Sequence, residues 1–137
     1  MRRILLAGML IAATGSTACN TTAQEARNRA REFQRLADDG KIAEIRQSYA
    51  PTQSQWEQYM AGRAKLGRLV RTTEANRQQI DRYDLIVLQY NSEFEHGRAI
   101  ESFSFRDGGT RLASYDFAPG KTITCRMITG CDTSDAP

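Results

Sequence analysis

Apolar residues recur at helical spacing through the first polar part of the chain. Ala26, Ala30, Phe33 and Ala37 share one helical face, and arginines and glutamates occupy the opposite face. A Thr-x-x-Glu capping box precedes this stripe and an Asp-Asp-Gly sequence follows it, which are signals for a helix start and a helix end. The pattern predicts an amphipathic helix over residues 23–38.

Two shorter apolar stripes follow and predict two more helices. Ile42, Ile45 and Tyr49 lie on one face of the second helix, which an Ala-Pro step ends because proline disfavours helical geometry in the preceding residue. A second capping box precedes the third helix, and Gly67 is well placed to cap its C-terminus. The stripe of this third helix comprises Trp56, Tyr59, Met60, Arg63 and Leu66.

After Gly67 the hydrophobic period changes from that of a helix to that of a strand. We expect a short strand over residues 68–73 and a polar loop over 74–82. The strongest strand of the chain follows over residues 83–90, rich in β-branched and aromatic side chains, with a weaker continuation to Phe94.

Two glycine-containing turns separate the remaining strands. Residues 95–97 predict a turn, and the Asp-Gly-Gly sequence at 107–109 predicts a tight hairpin, with the last strand beyond it. Ile100, Phe103 and Phe105 mark the strand between the two turns. Because the alternation slips between Ile100 and Phe103, this strand is predicted to contain a β-bulge.

Helices followed by hairpin-linked strands define the fold class. The order predicts an α+β domain in which three N-terminal helices pack on one face of a four-stranded antiparallel sheet. At 137 residues the chain is long enough for one such domain, which we place at residues 23–120. Residues 121–137 are expected to form a C-terminal tail with a disordered polar end.

The first 18 residues have the layout of a secretion signal. Arg2 and Arg3 form a positive start, and residues 4–13 form an apolar run that is too short to span a bilayer. The pattern predicts a signal peptide over residues 1–18 and a mature protein outside the cytoplasm, with Cys19 at its start.

Cys19 leaves two interpretations of the cleavage open. The Ala18-Cys19 step resembles the end of a bacterial lipobox, in which the cysteine is acylated, although Ser16 replaces the usual branched apolar residue. We favour lipidation of Cys19, with residues 19–22 as a lipidated N-terminus and short linker that anchors the domain to a membrane facing the periplasm. The alternative is an ordinary secretory cleavage and a soluble periplasmic or secreted domain.

Charge excludes one class of partner. Of the 19 basic residues, Arg2 and Arg3 belong to the signal, which leaves 17 against 16 acidic residues. A nearly neutral domain does not suit the electrostatic binding of nucleic acid, which needs a clustered basic surface.

The two remaining cysteines lie close together near the C-terminus. In an oxidising compartment, Cys125 and Cys131 are expected to form a disulfide that closes a short loop. Free thiols and a metal site are the alternatives, but the spacing is not that of a redox Cys-x-x-Cys motif, and a single histidine, His96, is a poor complement for zinc.

Residue chemistry gives little support to catalysis. His96 lies in a predicted turn, so we interpret it as a solvated loop residue, and no catalytic or phosphate-binding motif occurs. Glu93, Glu95 and Glu101 approach one another across the predicted hairpin, and nearby arginines favour surface ion pairs. We therefore predict no catalytic residues, no metal site and no cofactor.

Two groups of residues match the pattern of a known family. The first comprises Trp56, Arg63, Leu66, Gly67 and Arg71. The second comprises Tyr83, Leu85, Val87, Glu101, Phe103, Phe105, Asp107, Gly108, Arg111, Leu112 and Tyr115. In order and spacing they resemble the bacterial secreted family labelled domain of unknown function 4019, over about residues 26–117. The resemblance implies a cone of helices against a curved sheet, as in nuclear-transport-factor and cystatin-type folds, and it implies no activity.

A cone fold of this type can enclose a ligand cavity between helices and sheet. Trp56, Arg63, Tyr83 and Tyr115 are the candidates for its lining, and filling of the core is the favoured alternative. The charge of Arg63 needs an outlet or an acidic partner, so it either pairs with Glu101 or Asp116 or forms the floor of an anion-binding pocket.

The anchor together with the missing catalytic apparatus predicts a non-enzymatic envelope protein. Its domain is expected to bind another protein or peptide, with an inhibitor or immunity protein as one variant. A small-molecule binder or cryptic enzyme that uses the cone cavity is the alternative.

Overall fold

The computed structural model describes residues 18–49, 56–127 and 129–137. The helices are α1 (Ala18–Asp38), α2 (Ile42–Tyr49) and α3 (Trp56–Lys65), followed by strand β1 (Leu69–Ile80) and a 3₁₀ turn (Asp81–Tyr83). The remaining strands are β2 (Leu85–Phe94), β3 (Gly97–Arg106), β4 (Arg111–Pro119), β5 (Lys121–Arg126) and β6 (Gly130–Asp135). The predicted α+β class, with helices before the sheet, is confirmed.

Helix α1 is longer than its apolar stripe predicts. It begins at Ala18, so residues 19–22, expected as a linker, lie within the helix, and Thr22 is not a cap. Ala26, Ala30 and Phe33 are fully buried, as the stripe requires. The predicted stop of the second helix at Ala-Pro and most of the predicted signal peptide lie outside the described residues. No helix among the described residues is long and apolar enough to cross a membrane.

Gly67 ends α3 as predicted, and the position tolerates only glycine. Its φ of +82° lies in the left-handed region, which favours glycine. A Cβ atom there would lie 2.6 Å from Oε2 of Glu95, which accepts a hydrogen bond from the Arg68 backbone N–H.

Four antiparallel strands form the main sheet in the order β1-β2-β3-β4. Alternate residues of β2 are buried, and their partners on β3 continue the same face under the helices. This face and the helices share the core cluster, whose aromatic members include Phe33, Trp56, Phe103, Phe105 and Tyr115.

Strand β1 extends over the segment that we expected as a loop. It pairs with β2 from Leu69 to Ile80, with register shifts at Val70 and Ala75. The segment is polar because β1 lies at the edge of the sheet, where its core face meets polar groups of α1. Gln34 of α1 donates to Thr72 Oγ1 of β1 at 3.3 Å.

The bulge predicted between Ile100 and Phe103 is absent, since β3 pairs with β2 without a shift. The irregularity lies instead between β3 and β4, where Ala113 is the extra residue opposite Ser104 and Phe105. The alternation slips at Ile100 because this residue faces the outer side of the sheet and is buried there.

A second, two-stranded sheet of β5 and β6 covers part of that outer face, so the C-terminal segment is a hairpin and not a disordered tail. Ile100 and Ile123 are the two buried hydrophobic residues of the described chain that lie outside the core cluster. The side chain of Asn91 on β2 accepts a hydrogen bond from the Ile123 N–H at 2.8 Å and donates to the Ile123 carbonyl at 2.7 Å. These contacts hold β5 to the sheet.

Candidate functional site

The most unusual side chains of the interior are an arginine and a glutamate with almost no contact with solvent. Arg63 is 3% exposed and Glu101 is 0% exposed. Nε of Arg63 lies 3.4 Å from Oε1 of Glu101, and Nη1 lies 2.7 Å from Oδ1 of Asp38. Gln34 completes the group, because its side-chain Nε2 donates to Glu101 at 3.1 Å and its backbone carbonyl accepts from Arg63 at 3.4 Å. We call these four residues the buried polar cluster.

Arg63 and Glu101 meet because each occupies a core-facing position of its own element. Arg63 lies on the apolar stripe of α3, and Glu101 is in phase with the buried Phe103 and Phe105 of β3. The predicted pairing of Arg63 with Glu101 is confirmed, whereas Asp116 accepts a hydrogen bond from the Tyr59 hydroxyl at 3.0 Å. Glu101 is therefore not one of the surface carboxylates that we expected across the hairpin.

Asp38 has a role that sequence reasoning missed. We would read an aspartate at a helix end as a cap or a solvated charge, yet its carboxylate accepts both from Arg63 and from the Leu69 N–H, the latter at 3.1 Å. Asp38 thus ties the end of α1 to α3 and to the start of β1. The one signal in the sequence is its position four residues after Gln34 on the same helical face.

Burial and neighbouring charges shift the pKa values of Glu101 and Arg63 in opposite directions. Burial raises the pKa of Glu101, and the charge of Arg63 together with the hydrogen bond from Gln34 lowers it, with the net direction upward. Burial lowers the pKa of Arg63, but the charges of Glu101, Tyr115 and Asp38 outweigh this and keep it raised. The nitrogens of Arg63 are occupied by partners within the protein, so the cluster binds the elements together and offers no free group for chemistry.

The four candidates for a pocket lining do not come together. Trp56, Arg63 and Tyr115 are buried, whereas Tyr83 is 51% exposed in the 3₁₀ turn before β2. Rings fill the space beside the buried three: Phe33 lies 5.6 Å from Trp56 and 4.5 Å from Tyr115 between ring centroids. The structure supports the core interpretation for Trp56 and Tyr115 and separates Tyr83 from any site with them.

A cleft of about 290 Å³ reaches Arg63 from the surface between the ends of α1 and α3. Two carboxylates, Asp38 and Glu95, line it, and one of them already bonds Arg63. Arg63 and Arg68 balance the two carboxylates in this lining, and the three nitrogens of Arg63 already bond groups of the protein, so nothing in the cleft favours the anion-binding floor considered for Arg63.

The remaining polar candidates occupy surface positions. His96 is exposed in the β2–β3 turn, where its backbone N–H donates to the Leu66 carbonyl at 2.9 Å. Glu93 forms ion pairs with Arg71 at 2.9 Å and Arg98 at 3.1 Å, as expected for salt-linked strands. No group of three or more histidine, cysteine, aspartate or glutamate side chains within the described ranges is arranged to hold a metal ion.

The β5–β6 hairpin contains the predicted disulfide and an exposed turn that hydrophobic periodicity could not reveal. Cys125 and Cys131 are register partners and form a disulfide, with an S–S distance of 2.02 Å. Beyond this bond lies the turn, where the side chain of Met127 is fully exposed, more so than any other large hydrophobic residue that the structure describes. We call the described residues around this turn, 125–127 and 129–131, the hairpin tip.

Comparison with known proteins adds no relative: no family model, curated protein or solved structure matches the chain. The resemblance to the domain of unknown function 4019 therefore stays a prediction, and the functional argument depends on the geometry.

Proposed function

We propose that this protein is a non-enzymatic, periplasm-facing envelope lipoprotein whose domain binds another protein or a peptide. The observation that carries the binding function is the hairpin tip, where a disulfide cross-links the two strands next to a fully exposed methionine. An inhibitor or immunity protein is the variant that a projecting, covalently constrained loop fits best.

The hairpin tip has the properties of a recognition loop. An apolar side chain in full contact with water is unfavourable in the free protein, and it gains free energy when a partner covers it. The flexible thioether of Met127 adapts to irregular apolar surfaces. Since the disulfide already restricts the tip, little conformational entropy is lost on binding.

The interior does not favour the small-molecule alternative. A ligand site needs free volume together with convergent polar groups that still have hydrogen-bonding capacity. Here aromatic rings pack around Phe33, and the buried polar cluster satisfies its own donors and acceptors.

The proposed location has two supports. One is the signal-like segment that ends at Cys19, and the other is the disulfide between Cys125 and Cys131, which is typical of oxidising compartments. Mass spectrometry of the membrane-extracted N-terminus tests it directly. We expect a diacylglycerol-modified Cys19, and an unprocessed leader on a cytosolic protein would reject the proposal.

The binding function is tested by quantitative capture from detergent-solubilised envelopes with three forms of the protein. We expect the natural protein to recover one partner in stoichiometric amount and Met127→Asp to lose it. Tyr83→Asp is the matched control, because Tyr83 is also an exposed hydrophobic residue but lies in the 3₁₀ turn before β2.

Each result of the capture experiment decides between interpretations. Recovery by the natural protein and by Tyr83→Asp, but not by Met127→Asp, supports the hairpin tip. Equal recovery by all three forms, or no stoichiometric partner, rejects it. Loss with Tyr83→Asp alone would assign the binding surface to the 3₁₀ turn before β2 in place of the hairpin tip.

A further inference from the structure

The outer edge of β1 is open in the described part of the chain. β1 is the first strand in the sheet order and pairs only with β2, so one row of its backbone groups has no neighbouring strand. It is also the longest described strand, with 12 residues. An open edge of this length is a template on which an extended peptide can add as a further strand.

Positive charge is concentrated around this edge. Residues 68–82 contain four arginines and two carboxylates, and Arg27 and Arg31 of α1 lie beside the strand. Arginines outnumber carboxylates here even when Glu93 of β2, which pairs with Arg71 at 2.9 Å, is included. The segment after the predicted signal carries only 17 basic against 16 acidic residues in all, so the positive excess at this edge is balanced by negative charge elsewhere. The edge therefore favours an acidic partner.

Arg31 and Arg77 can still form ion pairs, whereas Arg27 already has a carboxylate partner. Arg27 is engaged in a two-point contact with Glu74 of β1, at 2.6 and 3.1 Å. Arg31 lies one helical turn after Arg27 on α1, and Arg77 lies three residues after Glu74 on β1, so both arginines are near this contact. The pKa of Glu74 is lowered first by the hydrogen bond from Arg27 and also by the charges of Arg27, Arg77 and Arg31. Neither Arg31 nor Arg77 has a carboxylate within 4 Å among the residues that the structure describes.

The register decides which side chains of an added strand would meet these charges. Glu74 opposes Tyr90 and Arg77 opposes Leu88, and both β2 residues are buried under the helices. Arg77 therefore lies on the helix side of the sheet, the side from which Arg31 of α1 approaches. Alternate residues of an added strand point to this side.

We infer that the edge of β1 binds an extended acidic segment of a partner protein by strand addition, with carboxylates on alternate residues facing Arg31 and Arg77. Backbone hydrogen bonds to β1 supply the alignment, and the two arginines select the charge. This surface is separate from the hairpin tip, so the inference goes beyond the proposed function and does not depend on it.

A second copy of the chain is a poor occupant of the same edge. Pairing two β1 edges would bring two surfaces of excess positive charge together, and like charges across neighbouring strands destabilise the pairing.

The test uses the whole protein and a defined probe. The probe is a labelled peptide of about ten residues in which threonine and glutamate alternate, a length that matches the strand. We expect saturable binding by fluorescence anisotropy at low ionic strength, with new protection of β1 amides in hydrogen exchange. A probe of identical charge with every backbone amide N-methylated is expected to bind at least about tenfold more weakly, because it cannot donate to the edge.

Reversing the charges of Arg31 and Arg77 tests whether these residues select an acidic segment. Arg31→Glu with Arg77→Glu is expected to weaken binding of the alternating probe by about tenfold or more, since both carboxylate contacts become repulsive. Lys41→Glu with Lys65→Glu is the matched control, because it makes the same change of net charge at exposed positions before α2 and at the end of α3. It is expected to leave binding within about twofold after screening by salt. The N-methylated probe keeps the inference falsifiable if the reversed variant fails to fold.

Four outcomes would overturn the inference. They are absence of binding at millimolar protein, equal binding of the N-methylated probe, binding that the Arg31 and Arg77 reversal does not change, and dimerisation of the free protein that protects β1 amides. Absence of binding would mean that the charges and register shifts of β1 prevent strand addition at this edge. None of these outcomes affects the capture experiment on Met127.

Discussion

The two faces of the four-stranded sheet are covered in different ways. On the inner face, three helices bury an aromatic core and the ion pair of Arg63 and Glu101. On the outer face, one small hairpin is held by a disulfide, by Ile123 and by the two hydrogen bonds of Asn91. The inner face therefore carries the stability of the domain, whereas the outer hairpin owes its shape to a covalent bond and remains accessible to a partner.

The largest effect is expected from Arg63→Ala. It leaves the fully buried Glu101 without its cation, and breaking a buried pair in this way costs about 3–5 kcal/mol of unfolding free energy. Denaturant titration followed by the fluorescence of Trp56, the single tryptophan, measures it. Arg46→Ala removes an exposed pair with Glu57 as a control and should cost about 0.5 kcal/mol or less.

A double variant sharpens the same point. Arg63→Met with Glu101→Leu removes both charges together and is expected to recover most of the stability that Arg63→Ala loses, because no uncompensated charge stays in the interior. A double variant as unstable as the single one would show that the cluster stabilises the fold through its hydrogen bonds to Gln34 and Asp38.

A medium effect, confined to the outer face, is expected when both Cys125 and Cys131 are replaced by serine. Closing so short a loop stabilises its folded form by about 2 kcal/mol. Amide exchange should accelerate in β5 and β6 and stay unchanged in β2 and β3. Reductant should reproduce the result in the natural protein, and equal acceleration in all four strands would show that the two faces unfold as one unit.

Acid is expected to act in opposite directions on the two faces. Burial raises the native pKa of Glu101 above the ordinary 4.5, so the native state takes up a proton first as pH falls. The stability of the natural protein relative to Glu101→Gln should therefore rise as pH falls toward 4.5 and become level below it.

On the hairpin, the hydrogen bond from Lys121 lowers the pKa of Asp135 below the ordinary 3.8. The stability of the natural protein relative to Asp135→Asn should be constant above 3.8 and fall slightly below it, because the carboxylate that Lys121 stabilises becomes protonated. Urea titrations at a series of pH values measure both differences, and slopes of the same sign would contradict the assignment.

The smallest effect is expected from Met127→Asp. The side chain makes no buried contact, so the free energy of unfolding should change by about 0.5 kcal/mol or less. Ile123→Ala, on the buried part of the same hairpin, should cost clearly more. A large loss of stability with Met127→Asp would mean that the tip supports the fold, and its loss of partner binding would then carry no information.

The sequence was most informative where periodicity and turn chemistry act locally. The stripes of α1 and α3, the cap at Gly67 and the Asp-Gly-Gly hairpin all appear as predicted. These features depend on neighbours within a few residues, so a single chain contains the information needed to infer them.

The failures share a different cause, which is long-range contact. β1 looked like a loop because its polar side chains find partners on α1, far away in sequence. Ile100 looked like a bulge because the hairpin that buries it comes more than 20 residues later. Tyr83 looked like a pocket residue because its type suits a pocket, but type does not determine the direction in which a side chain points.

In the candidate site, too, the locally determined features could be predicted and the long-range contact could not. The pairing of Arg63 with Glu101 could be inferred, since each lies in phase with buried neighbours on its own element. The third partner, Asp38, could not, because its role depends on the backbone N–H of Leu69 at the start of another element.

The small buried contact of the β5–β6 hairpin has a consequence for how this domain can diversify. Only Gly120 separates β5 from the main sheet, and Ile123 is the one residue of the described hairpin that is buried. Residues 126–130 can therefore be exchanged for other sequences while the helices and the four strands still fold. One scaffold could in this way present many different loops, and natural variants or a designed library would reach new partners by changing a handful of codons.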